Sequence, residues 1–249
     1  MLTPRILTLG AVLAAVSTVA GQVAPGFPVS SDPESLTVWY GTNQVSPPGE
    51  LLPRPDVLTA PSISTPVFSS TGKAVLFLVD LDVPLNGTRV QLLHWLASNV
   101  TVTGNNDTTL VVPSPSEADY IPPSPPVGDI PHAYTFILFS QPEGFSINET
   151  FADTNSRIGF NVSEFVSSHG LSQPALAANW ISVQNLTGTA TTTFPPPRPT
   201  NGTSTNTTTS STATPAPFPG AAPMVLGGGR FVWAGIATGL IAAIAAFAL

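Results

Sequence analysis

Apolar positions fall in a few short central runs and at the two ends of the chain, with long polar, proline-rich stretches between them. The longest central run, A-V-L-F-L-V over residues 74–79, is continuous rather than alternating, which predicts a strand covered on both faces. It leads into Asp80 and Asp82, which alternation places on one face. After a loop holding Pro84 and the turn pair Asn86-Gly87, a second apolar stretch over residues 91–98 carries His94-Trp95. Residues 35–40 (S-L-T-V-W-Y) predict a first strand and residues 179–184 a last one. Residues 132–139 predict a strand with His132, Tyr134, Phe136 and Leu138 on one face. One helix is predicted, from Asn161 to His169: Asn161 and Glu164 have capping-box spacing, Phe165 and Val166 supply an apolar face, and His169-Gly170 form the stop. Six prolines, at 47, 48, 53, 55, 61 and 66, exclude helix from residues 41–66 and leave edge strands and turns, with Leu51-Leu52 and Val57-Leu58 turned inward. Residues 114–131 form a Pro/Gly loop of a length that implies function or disorder.

The apolar ends read as addresses rather than fold. Residues 1–20 have one cation, Arg5, then an apolar core and small residues, the layout of a secretory signal peptide. Residues 231–249 are apolar and end without a basic residue, and a small triplet beginning at Gly220 precedes a short spacer, which predicts a GPI-attachment signal over 221–249 with Gly220 as the attachment site. Residues 187–220 are rich in Thr, Ser and Pro and predict a disordered, O-glycosylated stalk. The folding unit is therefore expected over residues 30–186. With both signals removed, 14 acids face five bases, so nucleic acid is an unsuitable partner. The chain has no cysteine, so its core alone must hold it. Sequons at Asn86, Asn99, Asn106, Asn148, Asn161, Asn185, Asn201 and Asn206 fit passage through the secretory pathway to the outer face of the plasma membrane or the cell wall. At Asn161 a glycan and a helix cap compete for one side chain.

Asp80, Asp82, His94, His132 and Tyr134 form a polar set on otherwise apolar strands. Burying them requires that they satisfy one another or line a wet cavity. A metal site of two histidines and two carboxylates is a weaker reading, because neither HxH nor HExxH spacing is present. A nucleophilic triad is weaker still, without G-x-S-x-G or cysteine.

At these residues the chain resembles the phosphatidylethanolamine-binding protein (PEBP) family. The ordered blocks are Asp80-Leu81-Asp82-Val83-Pro84, His94-Trp95, the P-S-P-P-V-G run that includes Ser124 and Gly128, and His132-Ala133-Tyr134. The likeness spans about residues 36–184 and departs from the family's pattern at Leu81, usually proline, and Ala133, usually arginine. It implies a β-rich α+β fold, a large antiparallel sheet packed on a smaller sheet with few peripheral helices, and a small anion pocket holding Asp80, Asp82, Pro84, His94, Trp95, Ser124, Gly128, His132 and Tyr134. His94 and His132 would donate N–H to phosphate oxygens, Tyr134 its O–H, and the loop around Ser124 its amides. Asp80 would hold a histidine protonated or meet a ligand ammonium, and Val83-Pro84 is a candidate cis bond at the rim. The expected function is binding of a phospholipid headgroup or other phosphorylated small molecule by a GPI-anchored surface protein, without catalysis, cofactor or metal. The alternative is inhibition of a secreted or vacuolar-type protease through surface loops.

Overall fold

The computed structural model describes residues 22–67, 72–104 and 107–200. The expected leader, the sequons at Asn106, Asn201 and Asn206, the Gly220 site and the apolar tail lie outside the described residues. The strands are β1 (Thr37–Tyr40), β2 (Asn43–Gln44), β3 (Glu50–Pro53), β4 (Ser62–Ser64), β5 (Ala74–Leu85), β6 (Thr88–Gly104), β7 (Asp107–Val111), β8 (His132–Ser140) and β9 (Ala177–Gln184), with one α-helix, α1 (Val162–Ser168), before β9.

They form a nine-stranded sheet in the order β2-β1-β4-β7-β6-β5-β8-β9-β3, antiparallel except where β3 pairs parallel to β9. β6, 17 residues long, belongs to both halves of this sheet and carries the chain from one to the other. Large and small sheets are thus a single curled one, β-rich as expected. Between the halves lies a core of Leu36, Val38, Tyr40, Ile63, Leu76, Leu78, Phe136, Leu138 and Ile181. The opposite face of β5 and β8 is covered by α1 and the lead-in, with Phe77, Val79, Ile137 and Phe139 packed on Ala24, Val29, Phe165 and Val166. The continuous apolar run of β5 follows from this: its even positions face one core and its odd positions the other.

The Asn86-Gly87 pair makes a tight hairpin with φ of 48° and 80°, the left-handed pair that matches strand twist, and Leu85 faces Thr88 across it. The strands run to this turn, so Pro84 lies inside β5 opposite Arg89 rather than in a loop, and its peptide bond is not among the cis bonds, which precede Pro47, Pro115 and Pro174. In the 41–66 stretch Leu52 and Val57 are buried, whereas Leu51 and Leu58 are each 55% exposed. Leu51 sits on the edge strand β3, where alternation turns it outward, and Leu58 follows a single 3-10 turn.

The helix stands as its caps predict. The Asn161 side chain accepts from the Glu164 N–H at 3.2 Å, and the His169 N–H donates to the Phe165 carbonyl. Removing that cap by Asn161→Ala is expected to cost about 1 kcal/mol, read as a lower urea midpoint at unchanged m-value. Asn86, Asn99, Asn148 and Asn161 are exposed, but Asn185 is buried, its oxygen accepting from the Thr187 N–H and hydroxyl. Those bonds leave Nδ2, the atom a glycan joins, unused, but the burial of Asn185 opposes a glycan there. Residues 187–200 also depart from the expected stalk, since they lie against the domain.

Candidate functional site

Two irregularities in the β5–β6 pairing shape the site. Leu78 faces Trp95 and Val79 faces Leu93, so His94 is an extra residue in β6, a bulge that lets His94 and Trp95 depart from strict alternation. A second shift lies between Asp80 and Val83, where Leu81 and Asp82 oppose Gln91 alone. The bulges release His94 and Asp82 from the ladder at the end of the sheet where β8 begins with His132.

Three side chains surround Tyr134. His94 meets its ring edge-on at 5.0 Å between centroids, and His132 stacks at 6.4 Å. Asp80 lies between the histidines, 2.8 Å from His132 Nδ1 and 3.9 Å from His94 Nε2. Its other oxygen accepts the Asp82 N–H at 2.8 Å. Asp82 in turn accepts the Ala133 N–H at 2.8 Å, capping β8 where β5 leaves it.

His132 has both ring nitrogens engaged, Nδ1 with Asp80 and Nε2 with Asp129 Oδ2 at 3.0 Å. Two carboxylates on one imidazole call for a donor at each nitrogen, the imidazolium. Burial opposes that charge, but Asp80 and Asp129 outweigh it and hold His132 above its ordinary value. Burial pushes the Asp129 carboxyl upward, and the hydrogen bonds from Arg89 and His132 bring it below its usual range. Arg89 donates twice to Asp129, at 2.6 and 3.0 Å, and once to the Asp82 carbonyl. Asp80, His132, Asp129 and Arg89 therefore form one charge-balanced network. His132 does not have a free N–H for a phosphate, contrary to the expectation from the family pattern.

His94 differs. Its Nδ1 lies 2.8 Å from the Ile121 carbonyl and donates to it, and burial lowers its pKa more than Asp80 raises it. Its Nε2 is buried without a partner. So is the Tyr134 hydroxyl, which burial and then the Asp80 charge push well above the usual phenol range. The Asp80 carboxylate and the Ser124 N–H both lie near this hydroxyl, outside full hydrogen-bond geometry. Among the described residues four buried side-chain polar atoms lack a partner, and two of the four belong to neighbouring rings here. Native interiors rarely leave such atoms unpaired, so two of them together call for an explanation.

The 114–131 loop is ordered because it is stitched onto β6. Ala118 exchanges both backbone bonds with Leu96, Ile121 N–H donates to the His94 carbonyl, and Tyr120 donates to the Val57 carbonyl at 2.7 Å. The same loop brings Ser124 to Tyr134 and turns at Gly128, with φ of 82°, to deliver Asp129.

Comparison with known proteins gives this geometry a context. The family model described as phosphatidylethanolamine-binding protein matches residues 42–182. The chain belongs to this family. It is 31% identical over 186 residues to a protein of Talaromyces stipitatus named phomoidride biosynthesis cluster protein N, covering 68% of this chain and 92% of that one. Among solved structures it resembles a carboxypeptidase Y inhibitor complexed with its cognate proteinase, at 20% identity and a TM-score of 0.50, over 61% of this chain and 83% of that one. A phosphatidylethanolamine-binding protein from Plasmodium vivax matches at 19% identity with a TM-score of 0.49, over 66% and 91% of the two chains.

Of the residues singled out by the PEBP pattern, Asp80, Asp82, His94, Ser124, His132 and Tyr134 come together. Trp95 does not. It is buried in the core between the sheet halves, edge-on to Tyr120 at 5.5 Å. Pro84 sits in the hairpin arm and Gly128 touches the chain's own residue Ala190. Asp129 and Arg89 were missed by sequence reasoning. Asp129 had a signal, a carboxylate three positions before His132; Arg89, alone among the cations in reaching the site from the hairpin, had none, because its reach depends on pairing register.

Proposed function

We propose that this PEBP domain is a binding protein whose pocket takes the phosphoryl group of a phospholipid headgroup or of another phosphorylated small molecule. The observation that carries it is two buried polar atoms without a hydrogen-bond partner on neighbouring rings, His94 Nε2 and Tyr134 Oη. Charge supports an anion despite three nearby aspartates. Asp80 and Asp129 are matched by His132 and Arg89, and Asp82 by Arg198 at 3.0 Å, so the two unpartnered atoms face no uncompensated carboxylate. Tyr134 keeps its proton to donate, and His94 takes one up when an anion arrives.

That uptake gives a sign. Burial favours neutral His94 and an adjacent anion favours the imidazolium, so affinity rises as pH falls through the range below its ordinary value of about 6.5, by at most about tenfold per pH unit. Calorimetric titration with inorganic sulfate, whose own charge is constant there, tests this. An affinity that does not change between pH 7.5 and 5.5 contradicts the role of His94.

The binding role is proposed as non-catalytic. Hydrolysis of a phosphoester, lost in His94→Ala, would instead assign an enzyme. Protease inhibition has only the likeness of fold behind it, and titration of secreted carboxypeptidases against the pure protein tests it. We further propose display at the cell surface through a GPI anchor at Gly220, on the motifs of residues 1–20 and 220–249. Release of the protein from intact cells by phosphatidylinositol-specific phospholipase C is the expected result.

A further inference from the structure

Arg157 is 6% exposed, yet among the described residues it is paired with no carboxylate. It ends a 3-10 turn, Asn155–Arg157, and the chain just beyond it runs along β6: Ile158 bridges Leu92, and the Gly159 N–H donates to the Gln91 carbonyl at 2.8 Å. Both guanidinium bonds go to main-chain carbonyls. Nε donates to Phe151 at 3.1 Å and Nη1 to Asp119 at 2.6 Å. The Asp119 carboxylate is used elsewhere, accepting the Ser116 N–H and hydroxyl. A buried cation that serves carbonyls bears its desolvation without an ion pair in return, so the placement of those carbonyls is what it contributes.

The Asp119 carbonyl belongs to the segment that meets His94. Ala118 exchanges two bonds with Leu96, and the Ile121 N–H donates to the His94 carbonyl at 2.9 Å, so residues 118–121 lie beside β6 with Asp119 between the two attachments. The Ile121 carbonyl is 2.8 Å from His94 Nδ1. A carbonyl at that distance accepts a proton and repels a lone pair, so it fixes the neutral imidazole with its proton on Nδ1 and leaves Nε2 bare. Bare Nε2 cannot donate to an anion until the ring takes up a second proton. Asp80, 3.9 Å from Nε2, draws the proton the other way. Without the Ile121 carbonyl in place, Nε2 carries the proton and donates while the ring stays neutral.

We propose that Arg157 is the positioning residue that makes anion binding pH-dependent: by holding the Asp119 carbonyl it keeps the Ile121 carbonyl on His94 Nδ1. This rests on the pocket reading above and adds the control of that pocket by pH. The charged and titratable groups around His94 are Asp80 from β5, His132 and Tyr134 from β8, and Arg157 itself. Burial disfavours a charged His94, Asp80 and the Ile121 carbonyl favour it, and His132 and Arg157 oppose it. Only the Ile121 carbonyl holds the proton of the neutral ring at Nδ1.

Nitrogen-15 spectra of the imidazoles and calorimetric titration with inorganic sulfate at pH 7.5 and 5.5 are compared in the wild type, Arg157→Lys and Tyr120→Phe. Lysine keeps the charge but lacks the rigid fork that serves two carbonyls in different directions. Tyr120→Phe loosens the same segment at its bond to the Val57 carbonyl and leaves Arg157 in place. In Arg157→Lys the proton of neutral His94 is expected on Nε2, and sulfate affinity is expected to rise about tenfold less between the two pH values than in the wild type. Tyr120→Phe keeps the wild-type tautomer and the wild-type pH slope. A neutral His94 still protonated at Nδ1 in Arg157→Lys, or the same shift to Nε2 in Tyr120→Phe, overturns the positioning role. If Arg157→Lys does not fold, the guanidinium protons of the wild type decide: slow exchange with water supports the two carbonyl bonds, and fast exchange overturns them. The pocket reading fails separately, when the wild type takes up no sulfate at either pH, and the His94 tautomer tests Arg157 even then.

Discussion

Replacing Asp129 by alanine is expected to lower the unfolding free energy by about 3 kcal/mol at neutral pH. The side chains of Asp129 and Arg89 are 1% and 2% exposed, so the substitution leaves a guanidinium buried with two of its five N–H donors unpaired. It also strips His132 of the partner at Nε2. A pair broken from one side costs more than the pair contributes, because the surviving charge has lost its water as well as its partner. The value is set at the lower end of the usual range because Arg89 keeps the carbonyls of Asp82, Pro195 and Pro196. The gap between wild type and variant should narrow at both ends of the pH scale. His132 is held above its ordinary value, so its contribution is complete below about pH 6.5 and is lost as pH rises through the raised folded value. Asp129 is held below its ordinary value, so its contribution is complete above about pH 4 and is lost as pH falls through the depressed folded value. Urea unfolding at pH 3, 7 and 9 measures the profile. A loss under about 1 kcal/mol at pH 7, the level of an exposed pair, contradicts the network.

Tyr134→Phe is expected to separate stability from binding. The hydroxyl is buried without a partner from the protein, so its removal relieves a desolvation cost and should raise the unfolding free energy by about 1 kcal/mol. The same change removes a donor to the anion. A hydrogen bond to a charged group contributes about 1.5–3 kcal/mol, so phosphate affinity should fall by roughly ten- to a hundredfold. Opposite signs in one variant are a mark of a residue kept for a ligand at the expense of the fold. A variant that is clearly less stable and binds phosphate as before would assign the hydroxyl to a structural bond instead.

Much of the β framework was legible because its local signals agree with its packing. The unbroken run from Ala74 to Val79 required cover on both faces and has it. Asn86-Gly87 required positive φ at both positions and has it. The cap on α1 was legible from Asn161 and Glu164 alone. The site was legible in its members and misread in its wiring. Residue types put His132 and His94 in the same role, but the structure gives His132 two carboxylates and His94 a carbonyl, and only pairing register decides that difference. The PEBP pattern put Trp95 in the pocket beside His94, but Trp95 lies in the core between the sheet halves, edge-on to Tyr120. Residues 187–200 were read as a stalk from composition. Composition reports the apolar surface a segment can bury; it does not report that Arg198 finds Asp82 or that the Pro195 and Pro196 carbonyls find Arg89.

The central claim is that His94 and Tyr134 await an anion while His132 is already committed. The sequence holds three histidines, so nitrogen-15 spectra of the imidazoles can follow each one during a phosphate titration at pH 7. The account predicts that His132 is doubly protonated throughout, and that His94 passes from the neutral form protonated at Nδ1 to the imidazolium as phosphate saturates the site. A His94 that stays neutral at saturating phosphate, or a His132 that changes in its place, would contradict it.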